Sequence, residues 1–246
     1  SPDQNSVEAI LTGVHKNPHE ILGMHTDGGV SIRVYIPNAE SIIVLNEEDG
    51  SCMEMQKQDP RGFFTLAADG IEKPFPYKLR ITDNTGHCYE SYDPYSFWPT
   101  ISDYDLYLFN QGNHHRIYEK LGAHLREING IAGVSFCVWA PSAKRVSVVG
   151  DFNQWDGRRH PMRMMGNSGV WEIFIPGLMK RDIYKYEIRT PFDEIYLKAD
   201  PYAFYAQKPP ETASVVYDLD NYIWSDQAWM DQRRPNVSSY GCCPWA

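Results

Sequence analysis

The sequence predicts an all-β chain of two tandem β-sandwiches, and three observations carry that prediction. The chain repeats itself: GVSIRVYIPNAESIIVL (29 to 45) is matched by GVSFCVWAPSAKRVSVV (133 to 149), an offset of 104,. Further on GFF (62 to 64) pairs with GVW (169 to 171), Tyr77-Lys78 with Tyr184-Lys185, and DPYSF (93 to 97) with DPYAF (200 to 204), an offset of 107. LGMH (22 to 25) and LGAH (121 to 124) extend the match upstream. Second, each copy consists of short runs of β-branched and aromatic residues alternating with period 2, the pattern of strands with one buried face. Third, turn signals separate the runs at roughly 8 to 15 residues, the spacing of a sandwich of about 100 residues. Two immunoglobulin-like sandwiches with short edge helices follow.

In chain order, Asp3 or Ser6 is placed to cap a helix over SVEAILTGV,. The first copy then supplies the strands SIRVYI, SIIVL, FFTLA and YKLRI, separated by EEDG, DPRG and DNTG,. Ser102 caps a second helix, DYDLYLFNQ, that stops before Gly112 and joins the modules,. The second copy supplies VSFCVWA, RVSVVG, VWEIFI and YKYEI, separated by PSAK, WDGRR and GNSG. Ser225 caps a third helix, DQAWMDQRR, before Pro235. These elements divide the chain into a first sandwich (1 to 105), a linker helix (106 to 112), a second sandwich (113 to 222) and a helix with a tail (223 to 246). Tyr35, Phe136, Trp139, Trp171, Phe174, Tyr184 and Tyr186 fall at alternating strand positions, where sandwich core or cross-strand pairing is expected,.

Composition narrows the function. Hydrophobic residues are 42% and charged residues 22%, which places the chain among packed globular proteins,. The net charge of −9 disfavours a nucleic-acid partner, since phosphate binding rests on a basic face,. No apolar run approaches the roughly 18 residues of a membrane span, and the N-terminus lacks a signal-peptide layout, so a cytoplasmic protein with no membrane partner is expected,. Cys52, Cys88, Cys137, Cys242 and Cys243 are odd in number and form no CxxC pair, which predicts reduced thiols; Cys137 could face either side of its strand,.

His15, His19 and His25 in HKNPHEILGMH could share a metal, but Asn17-Pro18 breaks the helix that would align them, so a structural turn is expected,. His114-His115 reads as a solvated loop. The paired acids Glu47-Glu48, Asp103 with Asp105, and Asp193-Glu194 fall in turns rather than across a cleft,. No nucleophile elbow, phosphate loop or dinucleotide fingerprint occurs. No catalytic residue, metal or cofactor is therefore assigned.

One stretch does not read as scaffold. GDFNQWDGRRHPM (150 to 162) lies where the second copy has gained residues, between Ala143 and Gly169, and sets Trp155 among polar and charged neighbours. Asn and Asp favour a bend there, and Gly157 is expected to supply a permissive φ,. An indole on a rigid turn offers a flat apolar face and an N–H donor, which suits the C–H face and hydroxyls of a pyranose. Asn153, Gln154, Asp156 and Lys185 are the candidate polar partners. The alternative is a tryptophan folded back onto its own sandwich.

HKNPHEILGMH, FCVWAPSAKRVSVVGDFNQWDGRRHPM, SGVWEIFIPG, YKYEI, LKADPYAF and QKPPETAS together resemble the N-terminal half of bacterial glycogen (1,4-α-glucan) branching enzymes over about residues 6 to 237. The resemblance implies an N-terminal β-sandwich module followed by a carbohydrate-binding module of family 48. It also implies α-glucan (glycogen, maltooligosaccharides) as partner and a glucan surface that maps onto Trp155 and Lys185. A further stacking aromatic of stand-alone relatives has Tyr196 as its nearest, out-of-register counterpart. In that family a catalytic TIM-type barrel follows the two modules and packs within the same chain; its nucleophile and acid/base segments do not occur here, so the barrel is absent and no catalysis is expected,. The closing PNVSSYGCCPWA departs from the strand with which the family continues and is expected to be a truncated or aberrant tail,. Two other expectations stay open: modules that pack on the barrel without binding sugar, and a stand-alone glycogen-binding adaptor.

Overall fold

A computed structural model describes residues 2–112 and 119–218. The expected loop at His114-His115, the helix after Ser225 and the tail with its two cysteines lie outside the described residues. The first half contains helix α1 (Gln4–Thr12) and strands β1 (Gly23–His25), β2 (Ser31–Tyr35), β3 (Ala39–Asn46), β4 (Cys52–Glu54), β5 (Gln56–Asp59), β6 (Phe63–Ala67), β7 (Tyr77–Asp83) and β8 (Cys88–Ser91). The second contains α2 (Asp103–Asn110) and strands β9 (Gly122–Ile128), β10 (Ile131–Trp139), β11 (Arg145–Gly150), β12 (Arg163–Met164), β13 (Val170–Pro176), β14 (Ile183–Arg189), β15 (Ile195–Lys198), β16 (Tyr205–Ala206) and β17 (Ser214–Val215). In the first half β1-β2-β6-β5 and β4-β3-β7-β8 face each other across Ile32, Val34, Ile42, Val44, Phe64, Leu79 and Ile81. In the second, β12-β13-β10-β9 faces β11-β14-β17-β16, with β15 also on β14, across Phe136, Val138, Val146, Val148, Trp171, Ile173, Tyr184 and Tyr186. The described residues are all-β apart from the short helices.

The residues shared by the two copies perform the same tasks in each. Tyr77 donates to Asp93 at 2.7 Å and Tyr184 to Asp200 at 2.6 Å. Each aspartate's other oxygen accepts a backbone N–H two residues on, from Tyr95 and from Tyr202. Gly23 and Gly122 have positive φ (88° and 95°), and a Cβ would lie 2.5 Å from the Tyr95 carbonyl oxygen and 3.1 Å from that of Tyr202,. The histidines of LGMH and LGAH reach back to the carbonyls of Leu22 and Leu121. The repeat is therefore a list of buried polar fasteners and close approaches, which tolerate fewer replacements than interchangeable core aliphatics.

The helices extend the repeat. Ile10 of α1 packs with Leu22, Tyr35 and Phe63 on the outer face of β2 and β6. Leu106 and Phe109 of α2 pack with Ile101, Leu121, Cys137 and Val170 on the matching face of the second sandwich. Ser102 caps α2 as the sequence predicts, with Asp105 reciprocating,; Cys137 takes the outer, helix-covered face. Two aromatic expectations change. Trp139 is 52% exposed rather than core, because strand alternation puts it on the face of β10 opposite the core residues Phe136 and Val138, where it meets Phe109 edge-on,. Phe174 is buried, but on the outer face of β13 against Phe97 (4.7 Å between centroids).

That outer contact belongs to the segment joining the modules. Tyr95 donates to the Pro161 carbonyl at 3.0 Å and meets His19 edge-on. Thr100 shares a hydrogen bond with Ser135 and another with Glu172, which is fully buried and paired with Arg163 at 3.0 Å. His19 is the middle residue of the short helical turn Pro18–Glu20, and no cluster of metal-ligating residues forms among the described residues.

Burial pushes the Asp93 carboxyl up to about 6, against the lowering effect of the Tyr77 and Tyr95 bonds. A folded pKa above the unfolded one favours the protonated folded state, so this contribution is present below pH ~4 and lost as pH rises through about 6,. The stability of the wild type relative to Asp93→Asn is expected to fall by on the order of 3 kcal/mol between pH 4 and pH 7, read by urea unfolding across that range.

Candidate functional site

In the first copy β3 turns back directly into β4, pairing Leu45 with Cys52. In the second, β11 ends at Gly150 and the chain departs into a 3-10 turn (Asp151–Asn153) before returning as an isolated bridge from Pro161 to Ser147. The loop therefore stands where the first sandwich has a hairpin strand. Asn153 organises it: only 1% exposed, its Oδ1 accepts the Gly150 N–H at 3.0 Å, and its Nδ2 donates to the Val148 carbonyl and to His160 Nδ1, both at 2.9 Å. With every polar atom of its carboxamide engaged, Asn153 shapes the site from beneath.

Above it, Gln154 and Trp155 both adopt left-handed backbone (φ 57° and 59°). For residues with a Cβ this costs roughly 1–2 kcal/mol each, so the surrounding bonds must impose it. The Trp155 N–H donates to the Gly150 carbonyl at 2.9 Å and the Asp156 N–H to that of Asn153 at 3.1 Å. Gly157, expected to supply the permissive φ, is needed for a different reason: a Cβ there would lie 2.0 Å from the Glu187 carboxylate. The positive φ values fall one turn earlier, on the residues that carry the side chains of interest.

The indole is partly buried, and its Nε1–H donates to Asp151 at 2.9 Å, so the expected donor is held inside the loop and the ring face is what the loop presents. Trp155 takes no part in the sandwich core. It lines a cavity of about 530 Å³ with Gln154, Asp156, Arg158, Arg145 and Glu187, and with residues 10–13 of the first module. Gln154 is exposed. Asp156 accepts from Arg158 through both oxygens; burial pushes its carboxyl up, and the bonds and charge of Arg158 more than reverse that, holding it below the ordinary range. Lys185 shares the outer face of β14 with Glu187 but lies outside this cavity, donating to Thr212 at 2.7 Å. Tyr196, on β15, bonds Glu194.

The geometry thus gathers Gln154, Trp155 and Asp156, puts Asn153 underneath, and sets Lys185 to one side. It adds Arg145, Glu187 and Arg189, which the sequence reading did not single out. Buried Arg145 pairs with partly buried Glu187, and Arg189 donates to the Thr12 carbonyl of α1 at 2.6 Å. Their signal was present: charged residues alternating with Val and Tyr in RVSVVG and YKYEIR mark one sheet face as polar,.

Comparison with known proteins bears on these two modules. Residues 3–95 match the model of the alpha-1,4-glucan branching enzyme GlgB N-terminal domain. Residues 120–203 match carbohydrate-binding module 48 (isoamylase N-terminal domain). The chain is the N-terminal region of a glycogen branching enzyme, its N-terminal domain followed by a carbohydrate-binding module 48. It is 46% identical over 232 residues to the 1,4-alpha-glucan branching enzyme GlgB of Rubrobacter xylanophilus, covering 94% of this chain and 31% of that protein. With the GlgB of Thermosynechococcus vestitus it is 48% identical over 240 residues, covering 95% and 31%. The chain therefore spans about a third of the length of the branching enzymes it matches. Among solved structures, pullulanase from Anoxybacillus sp. LM18-11 overlaps 81% of this chain and 27% of its own at 16% identity and a TM-score of 0.35.

Two measurements check the loop. Asn153→Ala removes three buried hydrogen bonds and is expected to lower the unfolding free energy by about 2–4 kcal/mol, read by denaturant unfolding; a change under 0.5 kcal/mol would show that the loop holds itself. His160 accepts from Asn153, and burial, with the Arg159 charge adding, holds its pKa down to about 3. Below pH ~6.5 the unfolded chain takes up a proton that the folded ring refuses, so stability falls as pH drops from there toward 3,. NMR of the ring is expected to show neutral imidazole still at pH 5.

Proposed function

We propose that the second module of this branching-enzyme chain holds α-glucan at the Trp155 loop, attaching the polymer for α-1,4 to α-1,6 transfer performed elsewhere in the complete enzyme. The observation that carries this reading is the strained Gln154-Trp155 turn, fastened from beneath by Asn153 and opening on a cavity rather than on the sandwich core. Membership of the family 48 module group supports the choice of ligand. A pyranose fits chemically, with its C–H face on the indole and its hydroxyls against the Gln154 amide and the Asp156–Arg158 pair.

Magnitudes set the strength of the attachment. Covering about half an indole face at roughly 25 cal/mol/Å² contributes on the order of 1–2 kcal/mol, and each hydrogen bond adds about 1 kcal/mol. The sum is near the roughly 4 kcal/mol of a millimolar complex. A repetitive polymer held at several points supplies the rest through effective concentration. The module is thus a tether, and bond cleavage is assigned to the remainder of the enzyme.

A second role rests on β15, all of whose residues are exposed, with Ile195 (57%), Leu197 (51%) and the preceding Phe192 (86%) forming an apolar row. That row suits packing against the rest of the enzyme. Affinity electrophoresis in glycogen-containing gels separates the roles: the full chain is expected to be retarded and Trp155→Ala to run as in a gel without glycogen. Equal retardation of both would remove Trp155 from the site, and no retardation of either would leave packing as the modules' role.

A further inference from the structure

We propose that the glucan site is shared between the two modules: the segment of sugar on Trp155 lies in the cleft between that indole and the C-terminal end of α1, so that the first module forms the opposite wall. This inference rests on the glucan reading above and names residues of the other module in it.

The cleft is the 530 Å³ cavity, within the roughly 300–1,000 Å³ of small-ligand pockets,. From the first module Leu11 and Thr12 line it; from the second Trp155, Gln154, Arg158 and Ile195 line it. Apolar groups therefore stand on both sides, with side-chain hydroxyl, amide and guanidinium groups between them. That is the mixture a pyranose requires, with carbon-bound hydrogens on its faces and hydroxyls around its rim. A membrane surface or a polyanion would ask for a continuous apolar or basic face instead.

The two walls are held at a fixed spacing. Arg189 spans the boundary, donating to the Thr12 carbonyl at 2.6 Å and to that of Gly13 at 3.5 Å, where a cation complements the negative end of α1,. Gly13 (φ 71°) permits a close approach, since a Cβ there would lie 2.1 Å from Arg145 Nη1. Across the boundary Met164 N–H donates to the Lys16 carbonyl at 2.7 Å. The opening is a preorganised gap between two fastened modules, so little ordering has to accompany ligand entry.

A second observation points to a missing ligand. Arg145 is 5% exposed and lines the cavity; Glu187 takes one of its guanidinium N–H groups, and its Nε has no hydrogen-bond partner. A buried N–H without an acceptor is rare and unfavourable. A small shift of the guanidinium toward a hydroxyl oxygen in the cleft would satisfy it, and neither module alone supplies that oxygen.

The test uses the full chain with maltoheptaose. Isothermal titration calorimetry compares wild type, Trp155→Ala and Thr12→Trp; Thr12 is the exposed last residue of α1, so the large side chain fills the cleft without entering either core. Melting temperatures confirm that all three are folded. Hydrogen exchange with and without maltoheptaose follows residues 9–15 and 150–160. The proposal predicts that both variants bind about tenfold more weakly or worse, and that the sugar slows exchange in both segments. Normal binding by Thr12→Trp with protection confined to 150–160, while Trp155→Ala fails, would overturn the shared site and leave the glucan reading standing. Unchanged binding by Trp155→Ala would overturn both.

Discussion

The segment from Asp93 to Ile101 is bonded to both sandwiches, and the relation between them depends on it. Asp93 closes the first module by taking the Tyr77 hydroxyl and capping its own turn. Within a few residues Tyr95, Phe97 and Thr100 are committed to the second module, through the Pro161 carbonyl, Phe174, and separate bonds of Thr100 to Ser135 and to Glu172. Such a connection is unlike the exposed linker expected between independent domains. It converts two repeats into one object with a defined cleft. Its stability is conditional, because Asp93 and Glu172 are buried carboxyls whose desolvation is offset only while their partners stay in place,.

The two copies part where the candidate site stands. Both copies retain the tyrosine–aspartate bond, the glycine against the aspartate's turn, and the helix on the outer sheet. They part after the matched strands β3 and β11. A hairpin strand completes the first sandwich there, whereas in the second a loop takes its place and presents Trp155. Asn153, His160 and the isolated Pro161 bridge hold that loop to its sheet, and Arg145, Glu187 and Gly157 fill the space between. The second copy thus keeps the scaffold's fasteners and uses one strand position for a surface.

Much of this was legible in the sequence. Period-2 runs located β2, β3, β6, β7, β10, β11, β13 and β14 because each sends alternate residues into a sandwich core. The short strands β4, β5, β12, β16 and β17 were not legible, since a two- to four-residue polar strand has no periodicity to read,. Trp139 was misplaced because alternation reports which residues share a face, not what covers that face. At the site, the turn and its tryptophan were visible as an indole in polar surroundings. The left-handed residues were not, since Gly157 is the glycine and Gln154 and Trp155 take the strain. The contribution of α1 was invisible for a simpler reason: Thr12 and Trp155 are far apart in sequence, and no local pattern reports a contact made between modules.

The matches to the GlgB N-terminal domain and to carbohydrate-binding module 48 support the proposed glucan role, and the Trp155 cleft is the surface proposed to take the polymer. The most direct measurement is a crystal structure of the chain grown with maltoheptaose. The account predicts a glucosyl ring against the Trp155 indole, with the oligosaccharide running between it and the end of α1. An oligosaccharide bound elsewhere on the sandwiches, with the Trp155 cleft empty at saturating sugar, would contradict it.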